Sequence, residues 1–175
     1  MQIFQTDTNP YLSAQVLDDR RVCKMLVESV QILSTVLRLC GLTHVEELYQ
    51  VTHPNHPAVQ WAGKDRLNFE WLCAHAWGLM TQYELRYPAR RGKHKCLIPL
   101  QTIHVLGDML PEITTPPELY SDPEEMKQIL LNKWARNPEG NCWFKKTTKE
   151  ICVYTDKSDI WEAVVDWTTT QSERD

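Results

Sequence analysis

Between Asp18 and Leu39, apolar residues return at Val22, Met25, Leu26, Ile32, Leu33, Val36 and Leu37. This is the 3.6-residue period of an amphipathic helix, sustained for about five turns. It predicts one long helix around which the rest of the chain must pack. The stripe is interrupted by Ser29, small enough for close packing and able to bond back to a carbonyl of the previous turn. Arg21 and Glu28 fall on one edge of the stripe at about 100° per residue, and Asp18 stands at its N-terminal end. Two turns separate Arg21 from Glu28, beyond direct pairing. A charge at the margin of a core face needs a partner, so these side chains either bond to neighbouring helices or line a pocket.

A second long helix follows Thr52-His53-Pro54-Asn55-His56-Pro57. Two prolines make that connection rigid and extended, and Pro57 suits a first helical turn. The helix is expected to run to about Tyr87 with a kink near Gly63. Its buried face holds Leu67, Trp71, Leu72, Leu79 and Tyr83. Asn68, His75, Gln82 and Arg86 project on the same side, either as a hydrogen-bonded core network or as a binding face.

The remaining elements are shorter. Met1 to Phe4 reads as a tucked-in extended segment and Tyr11 to Leu17 as a short helix. Gly41 stops the first long helix, and Leu42 to Gln50 is expected to add another helical piece. A helix is expected over Pro99–Met109, then a proline-rich loop to Pro117. Ser121-Asp122-Pro123-Glu124-Glu125 is a helix start with a cap, a proline and acids at the positive dipole end, continuing to about Arg136. Trp143 to Tyr154 suits either a helix or a small hairpin near the C-terminus, and Ser158 begins a last helix through Trp167. The fold class expected is therefore all-α: a compact single-domain helical bundle around two long helices, over residues 1–168, with 169–175 as a flexible tail.

Composition narrows the function classes. Hydrophobic content of 42% and charged content of 24% are those of a globular protein, and the net charge of −4 argues against wholesale nucleic-acid binding. No run approaches the roughly 18 apolar residues of a membrane helix. The N-terminus lacks the regions of a signal peptide, so a cytoplasmic location is expected. The six cysteines form no Cys-x-x-Cys pair and are read as reduced thiols.

Against the acidic background, Arg86 to Lys95 carries five Lys or Arg residues and no acid. It is either a solvated loop after a helix C-terminus or a phosphate-contacting loop. Within it Arg90, Arg91, Lys93 and His94 are candidate contacts for a nucleic acid or nucleotide. His53 with His56, and His94 with Cys96, have ligand types that zinc accepts. They lack a carboxylate at diagnostic spacing, so no metal and no cofactor are assigned. There is no Walker loop, dinucleotide turn or nucleophile elbow.

The start Met1-Gln2-Ile3-Phe4, the run Asp19-Arg20-Arg21-Val22-Cys23-Lys24-Met25-Leu26-Val27-Glu28, the Thr52–Pro57 stretch, Trp61, Asn68-Phe69-Glu70-Trp71-Leu72 and Glu84-Leu85-Arg86-Tyr87 resemble a family of small phage-encoded proteins. More remotely they resemble the pyrimidine-dimer DNA glycosylase of the endonuclease V type, a compact all-helical enzyme. In that family an Asp-x-His opens the first helix, a catalytic Glu follows seven residues later, and a His precedes the next long helix. Position by position the resemblance implies Asp19, Arg21 (here replacing the His), Glu28 and His56. The family's nucleophile is its N-terminal α-amine, which implies Met1, retained because Gln2 is bulky. An unperturbed α-amine titrates near pH ~8 and is partly neutral at neutral pH. It can attack a sugar carbon and form an imine while a carboxylate stabilises positive charge and moves protons.

The expectation is thus a DNA glycosylase and abasic-site lyase acting on a damaged or modified base, with Met1, Glu28, Arg21 and His56 catalytic. Asp19, His53, Asn55, Trp61, Asn68, Trp71, His75 and the basic loop would hold substrate, the tryptophans receiving an extruded base. The alternatives are a non-catalytic nucleotide- or protein-binding factor, such as a phage counter-defence protein, and a metal-dependent hydrolase. Oligomeric state is not legible.

Overall fold

The computed structural model describes residues 1–110 and 119–135. Over these the chain is all-α, with no strand: α1 (Pro10–Gln15), α2 (Asp19–Leu39), α3 (Pro57–Lys64), α4 (Arg66–Arg86), a single 3-10 turn (Pro88–Arg90), α5 (Leu97–Gly107) and α6 (Pro123–Ala135). Most of the proline-rich loop after Leu110, the segment 143–154, the expected last helix and the tail lie outside the described residues.

The first long helix forms where its apolar period predicts. Asp18 is its N-cap, accepting from the backbone N–H of Arg21 at 3.0 Å. Leu26, Leu33 and Leu37 are fully buried, and burying a side chain of that size contributes about 1.5–3 kcal/mol. Ser29 is buried in the same face. α4 packs chiefly on α2 and α1. α1 crosses α4 at Gly78, where a Cβ would come within 2.9 Å of the Ala14 Cβ and 3.3 Å of the Tyr11 Cα. Only glycine permits so close a crossing without displacement.

Three expectations about this region are corrected. The helix after Pro57 is not kinked near Gly63 but broken at Asp65, whose backbone is extended and whose carboxylate caps α4 by accepting from Leu67 N–H at 2.7 Å. An Asp that captures the next helix's amide ends one helix and starts another. Leu67 is 46% exposed rather than buried, because the new start rotates it outward. Leu42 to Gln50 forms turns rather than a helix. The buried Arg38 guanidinium takes the carbonyls of Thr43, Val45, Leu48 and Tyr49, which a helix would have needed for itself.

The polar file of α4 is interior: Asn68, His75, Gln82 and Arg86 are all at most 3% exposed. Asn68 donates to the Trp61 carbonyl at 3.0 Å. Arg86 donates to the carbonyls of Leu17 and Gln15 at 2.7 and 3.0 Å, to Asp19 at 3.2 Å and to Gln82 Oε1 at 2.9 Å. His75 differs, because neither ring nitrogen has a hydrogen-bond partner. Its ring stacks on Trp71 at 5.1 Å between centroids. Burial disfavours the charged imidazole and holds its pKa down to about 3.

A free histidine titrates near ~6.5. Between the two values the unfolded chain therefore binds more protons than the folded one. Stability from this group falls as pH drops from about 6.5 toward 3, by on the order of 1 kcal/mol per pH unit. His75→Leu removes both orphaned nitrogens and the titration. It is expected to flatten that slope and to raise stability at mildly acid pH by about 1–3 kcal/mol. Urea unfolding of both proteins at acid and neutral pH checks this, and an equal pH dependence in the two would refute it.

Candidate active site

The N-terminal segment runs back over the first half of α2. Ile3 and Phe4 are buried in the core, anchoring the extended start, and the Phe4 carbonyl accepts from the Ser13 hydroxyl at 2.8 Å. This brings Met1 and Gln2 to Glu28. The backbone N–H of Gln2 donates to Glu28 Oε2 at 3.0 Å, and Lys24 pairs with Glu28 Oε1 at 3.4 Å. A cavity of about 490 Å³ opens there, walled by Met1, Gln2 and Phe4, by Arg20, Arg21, Lys24, Met25 and Glu28 of α2, and by Ile129 and Lys133 of α6. Arg20, Lys24 and Glu28 recur every four residues and so share one face of α2.

Electrostatically the cavity is a carboxylate among cations. Arg21 is buried, bonded to the Asp18 carboxylate, and lies over the Phe4 ring at 5.4 Å. That anchoring fixes its guanidinium at the cavity wall. Arg20, Lys24 and Lys133 are exposed at the rim. Four cations around one carboxylate suit a phosphate-bearing substrate.

His56 is the N-cap of α3, its Nδ1 accepting from Ala58 N–H at 3.1 Å. An amide N–H only donates, so Nδ1 carries the lone pair and the neutral ring bears its proton on Nε2. His56 does not wall the cavity, yet it lies within electrostatic reach of it. Desolvation first, then the Met1 ammonium and His53, push its pKa down, while Glu28 pulls it up. The ring is therefore neutral at pH 7.

The other expected residues are dispersed. Asp19 is buried against Arg86 and Asn68 and His75 are interior, so none of the three reaches the cavity. Trp61 is buried, edge-on to Trp71 at 6.1 Å and to Tyr120 at 5.5 Å. Trp71 donates to the Thr8 carbonyl at 2.7 Å. Neither ring walls the cavity at Glu28, although Trp61 lines a separate cavity of about 620 Å³ with Val36, Pro57, Gln60 and Lys64. His53 is exposed, in the left-handed region at φ 48°, with its Nδ1 against the Thr52 hydroxyl at 2.7 Å. That conformation is costly for a non-glycine residue and persists only where the loop over-determines it. Asn55 is exposed beside it.

Arg86 is not part of the basic loop, since its guanidinium is consumed in the core. Arg90, Arg91, Lys93 and Lys95 remain exposed. Glu84 ties the loop down, accepting from Gly92 N–H at 2.9 Å and pairing with Arg91 at 3.7 Å. Gly92 has φ 66°, which a side chain would resist. His94 is half-buried, edge-on to Tyr83 at 4.6 Å. On α2, the Cys23 thiol is raised by burial and lowered by a hydrogen bond with Tyr87 and by the charge of Arg90. Tyr87, where the loop begins, therefore reaches α2 at Cys23, in the stretch that also carries Arg20 and Lys24.

Sequence reasoning missed Gln2, Arg20, Lys24 and Lys133 as site residues. The four-residue recurrence on α2 carried a signal for Arg20 and Lys24. Nothing local marked Lys133, which reaches the cavity only through tertiary packing of α6. Among the described residues no three His, Cys, Asp or Glu side chains gather as metal ligands, and no helix is long and apolar enough to cross a membrane.

The site is thus a chain start docked on a glutamate inside a cation-rimmed cavity of an all-helical protein. Residues 1–95, more than half of the chain, match the family described as pyrimidine dimer DNA glycosylase, and the chain belongs to that family. The matched segment supplies α1 to α4 and the basic loop, whereas α6 lies beyond it. Comparison with curated proteins and with solved structures found no match.

Proposed function

We propose that this protein is a DNA glycosylase with abasic-site lyase activity on a damaged or modified base, and that the α-amine of Met1 is its nucleophile. The observation that carries this reading is the Gln2 N–H bond to Glu28 at 3.0 Å, which seats the first residue over a carboxylate in an open cavity. In its neutral form the amine attacks the sugar C1′. The C1′–base bond breaks, and the base leaves with the bonding pair and takes up a proton. The nitrogen then loses a proton, the C1′–ring oxygen bond opens with its pair going to the oxygen, which takes up that proton, and a protonated imine links protein to sugar.

Glu28 stabilises the cationic nitrogen and accepts its proton. Arg21 and the rim cations Arg20, Lys24 and Lys133 hold the flanking phosphates, as do Arg90, Arg91 and Lys93 of the loop. Neutral His56 offers an Nε2–H donor near the same carboxylate. DNA is the partner, bound through these local cations on an otherwise acidic chain, and residues 1–168 act as one domain.

Borohydride reduction during incubation with abasic DNA tests the reading. A covalent adduct mapping to Met1 is expected, and it should vanish when two residues are added ahead of Met1. Absence of an adduct with Met1 exposed, or an adduct unaffected by the extension, would overturn it.

A further inference from the structure

The cavity at Glu28 is closed on one side by α6, which lies beyond the matched residues. Ile129 and Lys133 form that wall. They are four residues apart and so stand on one face of the helix. Lys133 suits a phosphate. Ile129 does not: it is 45% exposed, and an aliphatic side chain gains nothing from phosphate or water. Single exposed isoleucines are common on protein surfaces, but this one borders a cavity that also holds Arg20, Lys24 and Lys133.

Its position is firmly held. Met126 and Leu130, one turn before it and one residue after it, are buried in the core and pin α6. Asp122 caps the helix start, its carboxylate accepting from Glu125 N–H at 2.9 Å. A β-branched side chain in a helix keeps essentially one χ1 rotamer, so Ile129 loses little freedom when something packs on it. Of the other apolar groups at the cavity, Phe4 and Met25 are buried and Met1 belongs to the chain start. Ile129 is thus the stiff apolar group that stands open to a ligand.

In a polynucleotide the surface that rewards aliphatic contact is the face of a base, and in a duplex that face is covered by its neighbours. A stiff apolar side chain held among phosphate-binding cations reaches it by entering the stack. That unstacks one base step and lets the target nucleotide leave the duplex. We propose that Ile129 is such a wedge, and that α6 thereby sets a preference for duplex over single-stranded DNA. This rests on the reading of the cavity as the DNA site, but not on the amine chemistry.

The test is a duplex carrying a tetrahydrofuran abasic analogue, which cannot form an imine, with the fluorescent base 2-aminopurine beside it. A saturating excess of the full chain is expected to raise the fluorescence as that base loses its stacking neighbour. Ile129→Ala should lose most of the rise and Ile129→Leu should restore it. On natural abasic DNA, Ile129→Ala should slow borohydride trapping at least about tenfold more on the duplex than on the single strand, the effect of taking much of an aliphatic side chain out of contact. Ile129→Thr keeps the branched shape with a polar tip and gives a second comparison, and urea unfolding checks that each variant folds. A rise that depends on Ile129 without any adduct would sink the amine nucleophile and leave the wedge standing. An adduct from the parent without a rise would overturn the wedge, as would equal rises or equal duplex-to-single-strand ratios in the parent and Ile129→Ala. No binding to the duplex would overturn both readings.

Discussion

Glu28→Gln is expected to lower the rate of imine formation on abasic DNA by roughly 100- to 10,000-fold, the range that a positioned proton-transfer group contributes. Stability should change by less than about 1 kcal/mol, because the Gln oxygen can still accept from Gln2 N–H and the lost pair with Lys24 is largely solvent-screened. The comparison isolates charge from geometry. The chain start stays docked while the carboxylate that offsets the cationic nitrogen is gone. Single-turnover borohydride trapping with a saturating excess of protein reads the rate, and urea unfolding reads the fold. A variant that traps at the parent rate would remove Glu28 from the chemistry, whatever the parent's substrate.

The largest stability effect is expected at Arg86. Its side chain is fully buried and joins Leu17 and Gln15 at the end of α1, Asp19 at the start of α2, and Gln82 one turn back on α4. Arg86→Met fills much of the volume but leaves a buried carboxylate and several carbonyl oxygens without these donors. Breaking a buried ion pair from one side costs about 3–5 kcal/mol, a large part of the roughly 5–15 kcal/mol that holds a typical domain. Adding Asp19→Asn should recover part of the loss, since the carboxylate charge that Arg86 offsets is then gone. A fall in urea midpoint corresponding to under about 1 kcal/mol would show that the network is not the clamp between α1, α2 and α4 that its geometry implies.

These two residues also mark the limits of sequence reading. Arg86 reads as the first cation of a basic loop, and in the fold it is the most enclosed charge of α4. The 3.6-residue period placed it correctly with Asn68, His75 and Gln82, but charge composition alone counted it with the basic loop. Glu28 lay on an edge of the α2 stripe by the same period, and the period alone left its surroundings open. Trp61 and Trp71 were expected to hold substrate, and packing against Tyr120 and Thr8 sets both away from the cavity at Glu28. The break at Asp65 was locally legible in retrospect, as an Asp whose side chain caps the following helix. The turns of Leu42 to Gln50 were not, because the competitor for their carbonyls was Arg38, the side chain of another element.

Periodicity, caps and prolines alone determined that the chain is helical, where α2 begins and ends, and which residues share a face. Those are properties of neighbours within a turn or two, set by backbone geometry and local hydrogen bonds. Tertiary structure decided that the first peptide N–H meets Glu28, that Lys133 closes the same cavity, and that Asp19 turns inward to Arg86. Each joins groups far apart in sequence, and only tertiary packing brings them together.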